Sequence, residues 1–341
     1  MKKKSTLTYC IATTMLVLSV VGGKAALAST LDIIKDRGMV RCAVHTGLAG
    51  MSLPDSQGKW SGLFVDYCRA LAAATLGDAN KVEFVPVTSK QRFTVLQSGE
   101  VDVLSRTTTV TLSRDSSLGL NFTGVMFYDG QSFLVRKELG ISSAKELDGA
   151  TICVKQGTTA ELTLSEYFER NGMTYTPVVF EGTKEATTAF FSDRCDAYTT
   201  DASALTSIRL SDAPDPDDYV VLPERISKEP LGATVRSDDD QWFDINKWLL
   251  NNLLAAEELG VTAANIDKMK SSDNATIQRI TGVKPGMGKA LGLDEEWSYR
   301  AIKAVGNYGE LYAKHIKPLG IERGANNLYR DGGLMYPLPI R

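Results

Sequence analysis

Residues 82–104 read VEFVPVTSKQRFTVLQSGEVDVL, and the order of elements in this stretch decides the fold class. Val82–Val87 is an apolar, β-branched run that predicts a strand. Phe93 and Leu96 follow at helical spacing, and Val101–Leu104 predicts a second strand after a glycine that ends the helix. A strand, a short helix and a strand in this order are typical of a mostly parallel α/β sheet.

The same pattern continues on both sides of this stretch and starts again near residue 150. Two α/β units in series predict two lobes, although no close sequence repeat relates them. A Pro/Asp stretch at residues 212–218 predicts a solvated loop. Further strands are expected at Met39–Val44, Ala150–Val154, Thr176–Phe180 and Asp196–Thr200. Further helices are expected at Leu31–Lys35, Phe64–Ala72, Ala160–Arg170, Lys184–Phe191 and after Trp242.

The composition excludes several classes of protein. Of the 341 residues, 43% are hydrophobic and 23% are charged, which is typical of a globular chain and not of a disordered or multi-span membrane protein. The net charge of −3, with no basic run in the body of the chain, argues against a nucleic-acid partner. His45 and His315 are the only histidines, and neither lies in a metal-binding motif, so we expect no metal and no cofactor.

The N-terminus has the pattern of an export signal. Lys2–Lys4 form a positive start, Ser5–Gly23 carries no charge, and Ala26-Leu27-Ala28 is a small-x-small cleavage site. Residues 1–28 are therefore predicted to be a signal peptide that is cleaved after about Ala28. A membrane anchor is the alternative, but several hydroxyl residues dilute the uncharged segment.

Four cysteines remain after this cleavage. An even number in an exported chain predicts two disulfides, and four cysteines allow three pairings. The pairing Cys42–Cys68 with Cys153–Cys195 closes the shortest loops and keeps each bridge local. Four buried thiols are the alternative.

No catalytic or nucleotide-binding motif is complete in this sequence. The glycine-rich residues 283–290 lack the spacing and the Ser/Thr of a phosphate loop, and there is no G-x-S-x-G motif. A hydrolase of the Ser-His-Asp type would have no base other than His45 or His315. No pair of carboxylates is marked out as acid and base.

One polar segment differs from ordinary scaffold. In residues 102–114 a predicted strand ends in Thr107-Thr108-Thr109, and Arg114 follows. Ligands of open α/β sheets bind at the carboxyl ends of strands, and a guanidinium can grip a carboxylate with two hydrogen bonds. The alternative is a threonine-rich strand that is followed by a surface arginine.

A second polar segment opens the helix that begins near residue 160. Gly157-Thr158-Thr159 leads into that helix, whose free N–H groups can seat an anion, with Thr158 in a supporting position. Asp201 ends a later strand and could pair with an ammonium group. A plain helix cap and a turn aspartate are the alternatives. Together, the two segments and Asp201 offer donors for the carboxylate and an acceptor for the ammonium group of a zwitterionic α-amino acid.

Several segments stand in an order that is typical of one known family, beginning with the export signal. They are Gly58–Asp66, Leu96–Asp102, the threonine/arginine segment, Asn121–Thr123, Gly157–Thr159 and Asp196–Asp201. Over about residues 31–265 the chain resembles the polar amino-acid solute-binding proteins (family 3) of ABC importers. Its length and long tail are most similar to the general L-amino-acid-binding branch.

The resemblance implies a two-lobed α/β periplasmic binding protein fold, in which two mixed or parallel sheets are joined by two hinge crossovers. Residues 29–129 and 231–341 would form lobe 1, and residues 130–230 lobe 2. Residues 267–341 lie outside the family pattern and are expected to be a helical and loop extension on lobe 1. The crossovers are expected near Tyr128–Gln131 and Glu229–Gly232.

The resemblance also implies roles for individual residues. Arg114 would hold the ligand α-carboxylate, and Thr159 would donate to it. The carbonyl of Thr107, together with Thr109 and Asp201, would hold the α-ammonium group.

Two positions depart from the family pattern. Arg92 stands where many members have an aliphatic residue, and it could either meet a side-chain carboxylate or buttress the lobe. Leu48–Gly50 are small or aliphatic where many members place an aromatic ring. A wide pocket with a spare cation suggests broad specificity that includes polar and acidic amino acids.

The function implied by the resemblance is that of a periplasmic receptor for L-amino acids. It would act as a monomer, deliver its ligand to the transmembrane subunits of an ABC importer by hinge closure, and perform no bond chemistry. The alternative is an enzyme on the same scaffold, of the dehydratase or cell-wall lytic type, with His45 or Glu161 as acid or base. A sensor domain would require a second membrane span, which the sequence lacks.

Overall fold

The computed structural model describes residues 28–341, so the predicted signal segment, apart from Ala28, lies outside the described residues. The strands are β1 Val40–His45, β2 Leu53–Pro54, β3 Trp60–Ser61, β4 Val82–Val87, β5 Val103–Leu104, β6 Leu120–Phe122, β7 Phe127–Asp129, β8 Gln131–Arg136, β9 Ala150–Lys155, β10 Tyr175–Phe180, β11 Ala197–Asp201, β12 Tyr219–Val221, β13 Glu229–Leu231 and β14 Thr234–Arg236.

The α-helices divide into those between the strands and those of the C-terminal part. They are α1 Thr30–Arg37, α2 Leu63–Leu76, α3 Arg92–Gln97, α4 Leu112–Ser117, α5 Thr159–Arg170, α6 Thr183–Phe191, α7 Ala202–Asp212, α8 Asp240–Glu258, α9 Ile266–Met269, α10 Ala275–Ile280, α11 Met287–Ala290, α12 Trp297–Val305 and α13 Tyr308–His315. Short 3-10 helices lie at Lys137–Leu139, Ala144–Leu147, Pro216–Asp218, Lys317–Leu319, Gly324–Asn326 and Tyr329–Asp331.

Two five-stranded sheets share one plan, which confirms the predicted two-lobed α/β fold. The first has the order β4-β1-β5-β14-β6, and the second has the order β10-β9-β11-β8-β12. In each sheet the first three strands are parallel and the last two pair in antiparallel fashion. We name the part that contains the first sheet lobe 1 and the part that contains the second sheet lobe 2.

The chain passes between the lobes through an antiparallel pair of short strands, β7 and β13, in which Glu229 lies opposite Asp129. Both predicted crossovers fall at this pair. Gly130 and Gly232 are required here, because a Cβ atom would lie 2.8 Å from the carbonyl oxygen of Ser227 at the first position and 2.3 Å from that of Gly124 at the second. The crossovers therefore approach too closely for any side chain at these two positions.

Local sequence explains the elements that carry the cleft. The parallel strands β1, β5, β9 and β11 are buried along most of their length, as the continuous apolar runs predict. Helix α5 begins where the side chain of Thr158 accepts a hydrogen bond from the Glu161 N–H. Gly157 precedes it with φ +71°, a left-handed conformation that favours glycine.

Both predicted disulfides are present in the structure. Cys42–Cys68 ties strand β1 to helix α2, and Cys153–Cys195 ties strand β9 to the residues just before β11. The alternative of four free thiols is wrong. Each bridge joins the central sheet of one lobe to a neighbouring element of the same lobe.

The C-terminal helices pack on lobe 1, chiefly α12 on α2 and α13 on α8 and α2. Trp297 and Ile302 of α12 are fully buried in the main core, and the Tyr308 hydroxyl donates to the Met126 carbonyl at 2.8 Å. Lys314 and His315 contact the buried carboxylate of Asp66 at 2.8 and 2.7 Å. No helix among residues 28–341 combines the length and the apolar character needed to cross a bilayer.

Removal of the lobe 2 bridge should destabilise the protein measurably. We expect the double variant Cys153→Ser/Cys195→Ser to lose about 3–4 kcal/mol in free energy of unfolding, because the bridge constrains a long loop of the unfolded chain. Urea denaturation followed by tryptophan fluorescence and circular dichroism measures this loss. An unchanged unfolding midpoint would contradict a stabilising role for this bridge.

Candidate functional site

A small cavity lies between the lobes where the strands of the two sheets end. Its walls are the residues after β5, the start of α3, the ends of β9 and β11, and the first turn of α5. Its volume is about 20 Å³, which is room for about one water molecule. The lining residues are Ser89, Arg92, Arg106, Thr107, Thr109, Lys155, Thr158, Thr159, Ala160, Thr200 and Asp201.

The structure brings the residues predicted as a binding site together around this cavity. All of them line it except Arg114, which lies just behind. The Nη1 atom of Arg114 donates to the carbonyl of Thr109 at 2.9 Å, and its guanidinium lies 5.4 Å from the centre of the Phe93 ring. Arg114 is therefore one residue removed from the cavity wall, and the roles predicted for individual ligand contacts stay predictions.

The two lobes touch through the side chains of this site. The Oγ1 atoms of Thr109 in lobe 1 and Thr159 in lobe 2 are 3.3 Å apart. Arg92 donates from Nη1 to the Thr107 carbonyl at 3.4 Å and from Nη2 to the Gly157 carbonyl of lobe 2 at 3.2 Å. The sequence left two roles open for Arg92. Its hydrogen bonds match a structural role in supporting the lobe. Its place on the cavity wall also allows contact with a side-chain carboxylate of a ligand.

Several side chains of the site were missed by the sequence reasoning. Arg106 directly precedes the threonine run, and its guanidinium donates to the Val87 carbonyl at 2.8 Å and to the Ser89 hydroxyl at 3.2 Å. Lys155 is the last residue of β9 and donates to the Thr183 hydroxyl at 3.1 Å. A cation at the end of a buried apolar strand is the signal that could have identified both residues.

Glu229 was also missed, because it was considered only as part of a crossover. Its Oε2 atom accepts hydrogen bonds from the hydroxyls of Thr109 and, at 2.9 Å, Thr159. Its Oε1 atom accepts from the Ser227 hydroxyl at 2.6 Å. Glu229 is buried, with only 2% of its surface exposed. Its carboxylate joins hydroxyl groups from both lobes at the hinge.

Burial and like charge shape the electrostatics of the cleft. Burial, and then the nearby charge of Arg106, lower the pKa of Lys155 to about 7. Burial lowers the pKa of Arg106 to about 10 and lowers the pKa of Arg92 well below its usual value, with Arg106 adding to the latter shift. The pKa of Asp201 is raised well above its usual value by burial and by the charges of Asp129 and Glu229. The site is thus a cluster of cations around the buried carboxyl groups of Asp201 and Glu229.

The residues proposed as acid or base for an enzyme lie behind the cavity wall and are hydrogen-bonded to the protein. The Nδ1 atom of His45 accepts from the Gly47 N–H at 3.1 Å, and its Nε2 atom is 3.4 Å from the Thr183 hydroxyl. Burial lowers the pKa of His45 well below its usual value. Glu161 accepts from the Gly157 N–H at 3.0 Å, and neither residue lines the cavity. Within residues 28–341, no group of three or more His, Cys, Asp or Glu side chains is arranged to hold a metal ion.

Comparison with known proteins decides the family. Residues 40–318 match the sequence model of the bacterial extracellular solute-binding proteins, family 3. The chain belongs to this family. It is 51% identical over 326 residues to the general L-amino acid-binding periplasmic protein AapJ of Rhizobium johnstonii. The alignment covers 94% of this chain and 95% of that protein.

Two further relatives support this membership of the solute-binding family. The chain is 50% identical over 321 residues to the glutamate/glutamine/aspartate/asparagine-binding protein BztA of Rhodobacter capsulatus, which covers 93% of this chain and 95% of that protein. A solved periplasmic binding protein from Brucella ovis with glutathione bound is 52% identical, with a TM-score of 0.90 over 92% of this chain and 100% of that chain.

The comparison corrects the extent of the family pattern. The motifs of the sequence analysis ended near residue 265, whereas the family match continues to residue 318 and so includes helices α9–α13. Those motifs lie around the cleft, while helices such as α12 carry core residues that form no recognisable motif. Residues 267–318 of the predicted extension therefore belong to the sequence that the family shares.

Lys155 should reduce the stability of the ligand-free solute-binding protein at low pH. Its pKa is lowered to about 7 in the fold from an ordinary 10.5, so between these values the unfolded chain binds one proton more and stability rises with pH. We expect Lys155→Met to be more stable than the wild type at pH 6, with the difference shrinking by about 2 kcal/mol between pH 7 and pH 9. Denaturation curves across this range measure it.

The exposed Lys184 provides the matched control for this prediction. Lys184→Met also removes a lysine from lobe 2, but it should not reproduce the stabilisation by Lys155→Met at pH 6, because an exposed ammonium group stays hydrated in the fold. A constant difference between Lys155→Met and the wild type from pH 6 to pH 9 would contradict the lowered pKa.

Proposed function

We propose that this protein is a periplasmic receptor that binds L-amino acids, including polar and acidic ones, and delivers them to an ABC importer. The observation that carries the proposal is one cavity lined from both lobes by groups that complement a zwitterion. On its wall, Asp201 and the threonine hydroxyls provide acceptors and the start of α5 provides donors, while Arg114 lies just behind the wall and offers further donors. The relatives named as amino-acid-binding proteins support this assignment.

Each charged end of the ligand would meet groups from both lobes. Arg114 uses one N–H group on the Thr109 carbonyl, which leaves other N–H groups for an α-carboxylate. Among the described residues, the backbone N–H groups of Thr159 and Ala160 at the start of α5 have no hydrogen-bond acceptor. The α-ammonium group would lie against Asp201, whose raised pKa a cation would lower again.

The cations that remain point to a second negative charge on preferred ligands. With Arg114 assigned to the α-carboxylate and Asp201 to the α-ammonium group, Arg92, Arg106 and Lys155 still line the cavity. A side-chain carboxylate would offset their mutual repulsion. We therefore propose that glutamate and aspartate are among the ligands, and the name of the relative BztA supports this.

Ligand exchange would require the lobes to move apart. A cavity of about 20 Å³ is too small for an amino acid, and Arg92–Gly157 and Thr109–Thr159 close it from lobe to lobe. Only a closed cleft brings groups from both lobes to both charged ends of the ligand, so binding would shift the hinge equilibrium toward closure. The transmembrane subunits of the importer would recognise the closed pair of lobe faces.

The remaining features of the proposal follow from the same assignment. The signal peptide is cleaved after about Ala28, and the mature protein acts as a monomer without bond chemistry. Residues 29–129 and 231–341 form lobe 1, and residues 130–230 form lobe 2. The hydrogen bonds of both ring nitrogens of His45 support a structural role for the residue that an enzyme would use as a base.

Asp201 tests the proposed function directly. We expect Asp201→Asn to weaken L-amino-acid binding by ~100-fold or more, because the α-ammonium group would be buried without its countercharge. Isothermal titration calorimetry with L-glutamate and L-glutamine measures the change. The exposed Asp212→Asn serves as the matched control and should bind like the wild type. Unchanged affinity of Asp201→Asn for every amino acid would reject this site.

The choice between acidic and neutral ligands should depend on pH through Lys155. An acidic side chain raises the pKa of Lys155 from about 7, whereas a neutral side chain leaves it low. The complex with glutamate therefore keeps a proton that the complex with glutamine loses as pH rises. We expect the affinity ratio of glutamate to glutamine to fall ~10-fold between pH 6 and pH 8.5.

The variant Lys155→Met should abolish most of this pH dependence, because it has no proton to lose. Calorimetry at several pH values, in buffers of different ionisation enthalpy, also counts the proton directly. Equal pH dependence in the wild type and in Lys155→Met would assign the effect to another group.

A further inference from the structure

A second cavity lies at the hinge, apart from the cleft. Its walls are β7 with Gly130, the first turns of α7 in lobe 2, Arg225, and the C-terminal residues 320–326, which are anchored to lobe 1. Its volume is about 480 Å³, which is enough for a small molecule. It shares no lining residue with the small cavity of the cleft. We call this space the hinge cavity.

Asp129 brings a carboxyl group without a cationic partner to the wall of the hinge cavity. Its two oxygens accept from the N–H groups of Gly130 at 2.8 Å and Ser203 at 3.2 Å. No Lys, Arg or His side chain of residues 28–341 forms an ion pair with it. The Ser203 hydroxyl lies close enough to lower the pKa of Asp129, but it has no hydrogen-bond partner of good geometry. A cationic group against Asp129 would offset the cost of burying this carboxylate.

Arg225 brings a positive charge to the same cavity. Its Nη1 atom donates to the carbonyls of the three residues before it, at 3.1, 3.2 and 3.2 Å, and its other N–H groups have no acceptor among the described residues. Its side chain packs on Gly130, where a Cβ atom would lie 3.0 Å from the Arg225 Cβ. The charge of Arg225 lowers the pKa of Asp129, yet the two groups do not form an ion pair. A molecule that carries both charges could bridge them.

The other charged groups of the wall narrow the choice of such a molecule. Arg323 is already paired with Glu257 of α8. Glu322 is exposed and adds a second carboxylate to the wall. Negative charge without a partner therefore exceeds positive charge in the hinge cavity, whereas cations are in excess in the cleft. A neutral or basic side chain suits the hinge cavity better than an acidic one.

We propose that the hinge cavity is a second binding site, for an amino acid with a neutral or basic side chain, in which Asp129 pairs with an ammonium group and Arg225 with the carboxylate. This site is separate from the cleft and goes beyond the proposed function. Its walls belong to the hinge, to lobe 2 and to the C-terminal segment on lobe 1, so its shape changes when the lobes rotate. Occupancy of the hinge cavity and closure of the cleft are therefore linked.

Equilibrium dialysis with labelled L-lysine tests the site, with enough L-glutamate present to fill the cleft. Cadaverine, which is lysine without its carboxylate, is the matched second probe. We expect Arg225→Met to weaken L-lysine binding ~10-fold or more and cadaverine binding ~2-fold or less, because only the partner of the carboxylate is removed. The exposed Lys228→Met removes a cation from the same loop and should bind both probes like the wild type.

A second variant blocks the hinge cavity from the C-terminal segment and serves if Arg225→Met does not fold. Ala325 is exposed on the cavity wall. We expect Ala325→Trp to abolish binding of both probes and to leave L-glutamate affinity within ~2-fold of the wild type, because the cleft is a separate cavity.

Three results would overturn the proposal. They are no binding of L-lysine to the wild type, L-lysine binding that Ala325→Trp leaves unchanged, and an equal loss of both probes in Arg225→Met. Failure of the wild type to bind L-glutamate would instead reject the proposed function. The same comparison of L-lysine with cadaverine, carried out without L-glutamate, would then still decide whether the hinge cavity is a site.

Discussion

The closed cleft buries three positively charged side chains next to each other. Arg92, Arg106 and Lys155 line one cavity and are each at least nine-tenths buried. Burial lowers the pKa of all three groups, and repulsion from Arg106 adds to the shift at the other two. A closed cleft of this composition is costly for the protein alone. Anions from a ligand offset that cost, which couples occupancy to closure.

Asp201 at the end of β11 acts against the charge of all three cations, and Glu229 on hinge strand β13 acts against that of Arg92. Asp129 and Glu229 face each other across the β7–β13 pair, and Asp129 accepts from the N–H groups of Gly130 and Ser203 at 2.8 and 3.2 Å. Burial raises the pKa of Asp129 to about 6. Groups near a rotation axis move least when two bodies rotate about it. Glu229 would therefore move little in a rotation of the lobes about the hinge, whereas Asp201 would move with lobe 2.

The sequence predicted the parallel half of each sheet well, because these strands are continuous apolar runs bounded by turn residues. The strand at Val82–Val87 has the predicted limits, and α5 begins one residue before the predicted Ala160. The antiparallel strands β6, β8, β12 and β14 were not predicted, since their place is fixed by pairing with strands distant in sequence. Periodicity within a segment carries no information about such partners.

The site was predictable to the extent that it follows strand ends. Thr107, Thr109 and Asp201 could be identified because polar side chains end apolar strands there. Lys155 had the same signal but stood beside the more conspicuous Gly157-Thr158-Thr159. Glu229 carried none, because its importance comes from hydroxyls 120 and 70 residues away that meet it only in the folded chain. Contacts of this kind depend on tertiary structure rather than on local spacing.

The C-terminal part of the chain decides where the hinge can bend. The Asn326 side chain accepts from the Tyr128 N–H at 2.7 Å and donates to the Tyr128 carbonyl at 3.0 Å, so it satisfies both backbone groups of one residue in β7. Arg323 anchors the same segment to Glu257 of α8 in lobe 1. Strand β7 is thus held to lobe 1 by side chains on its outer edge. Bending is then left to the residues that follow β7, beginning at Gly130, where the absence of a Cβ atom permits close approach of the second crossover.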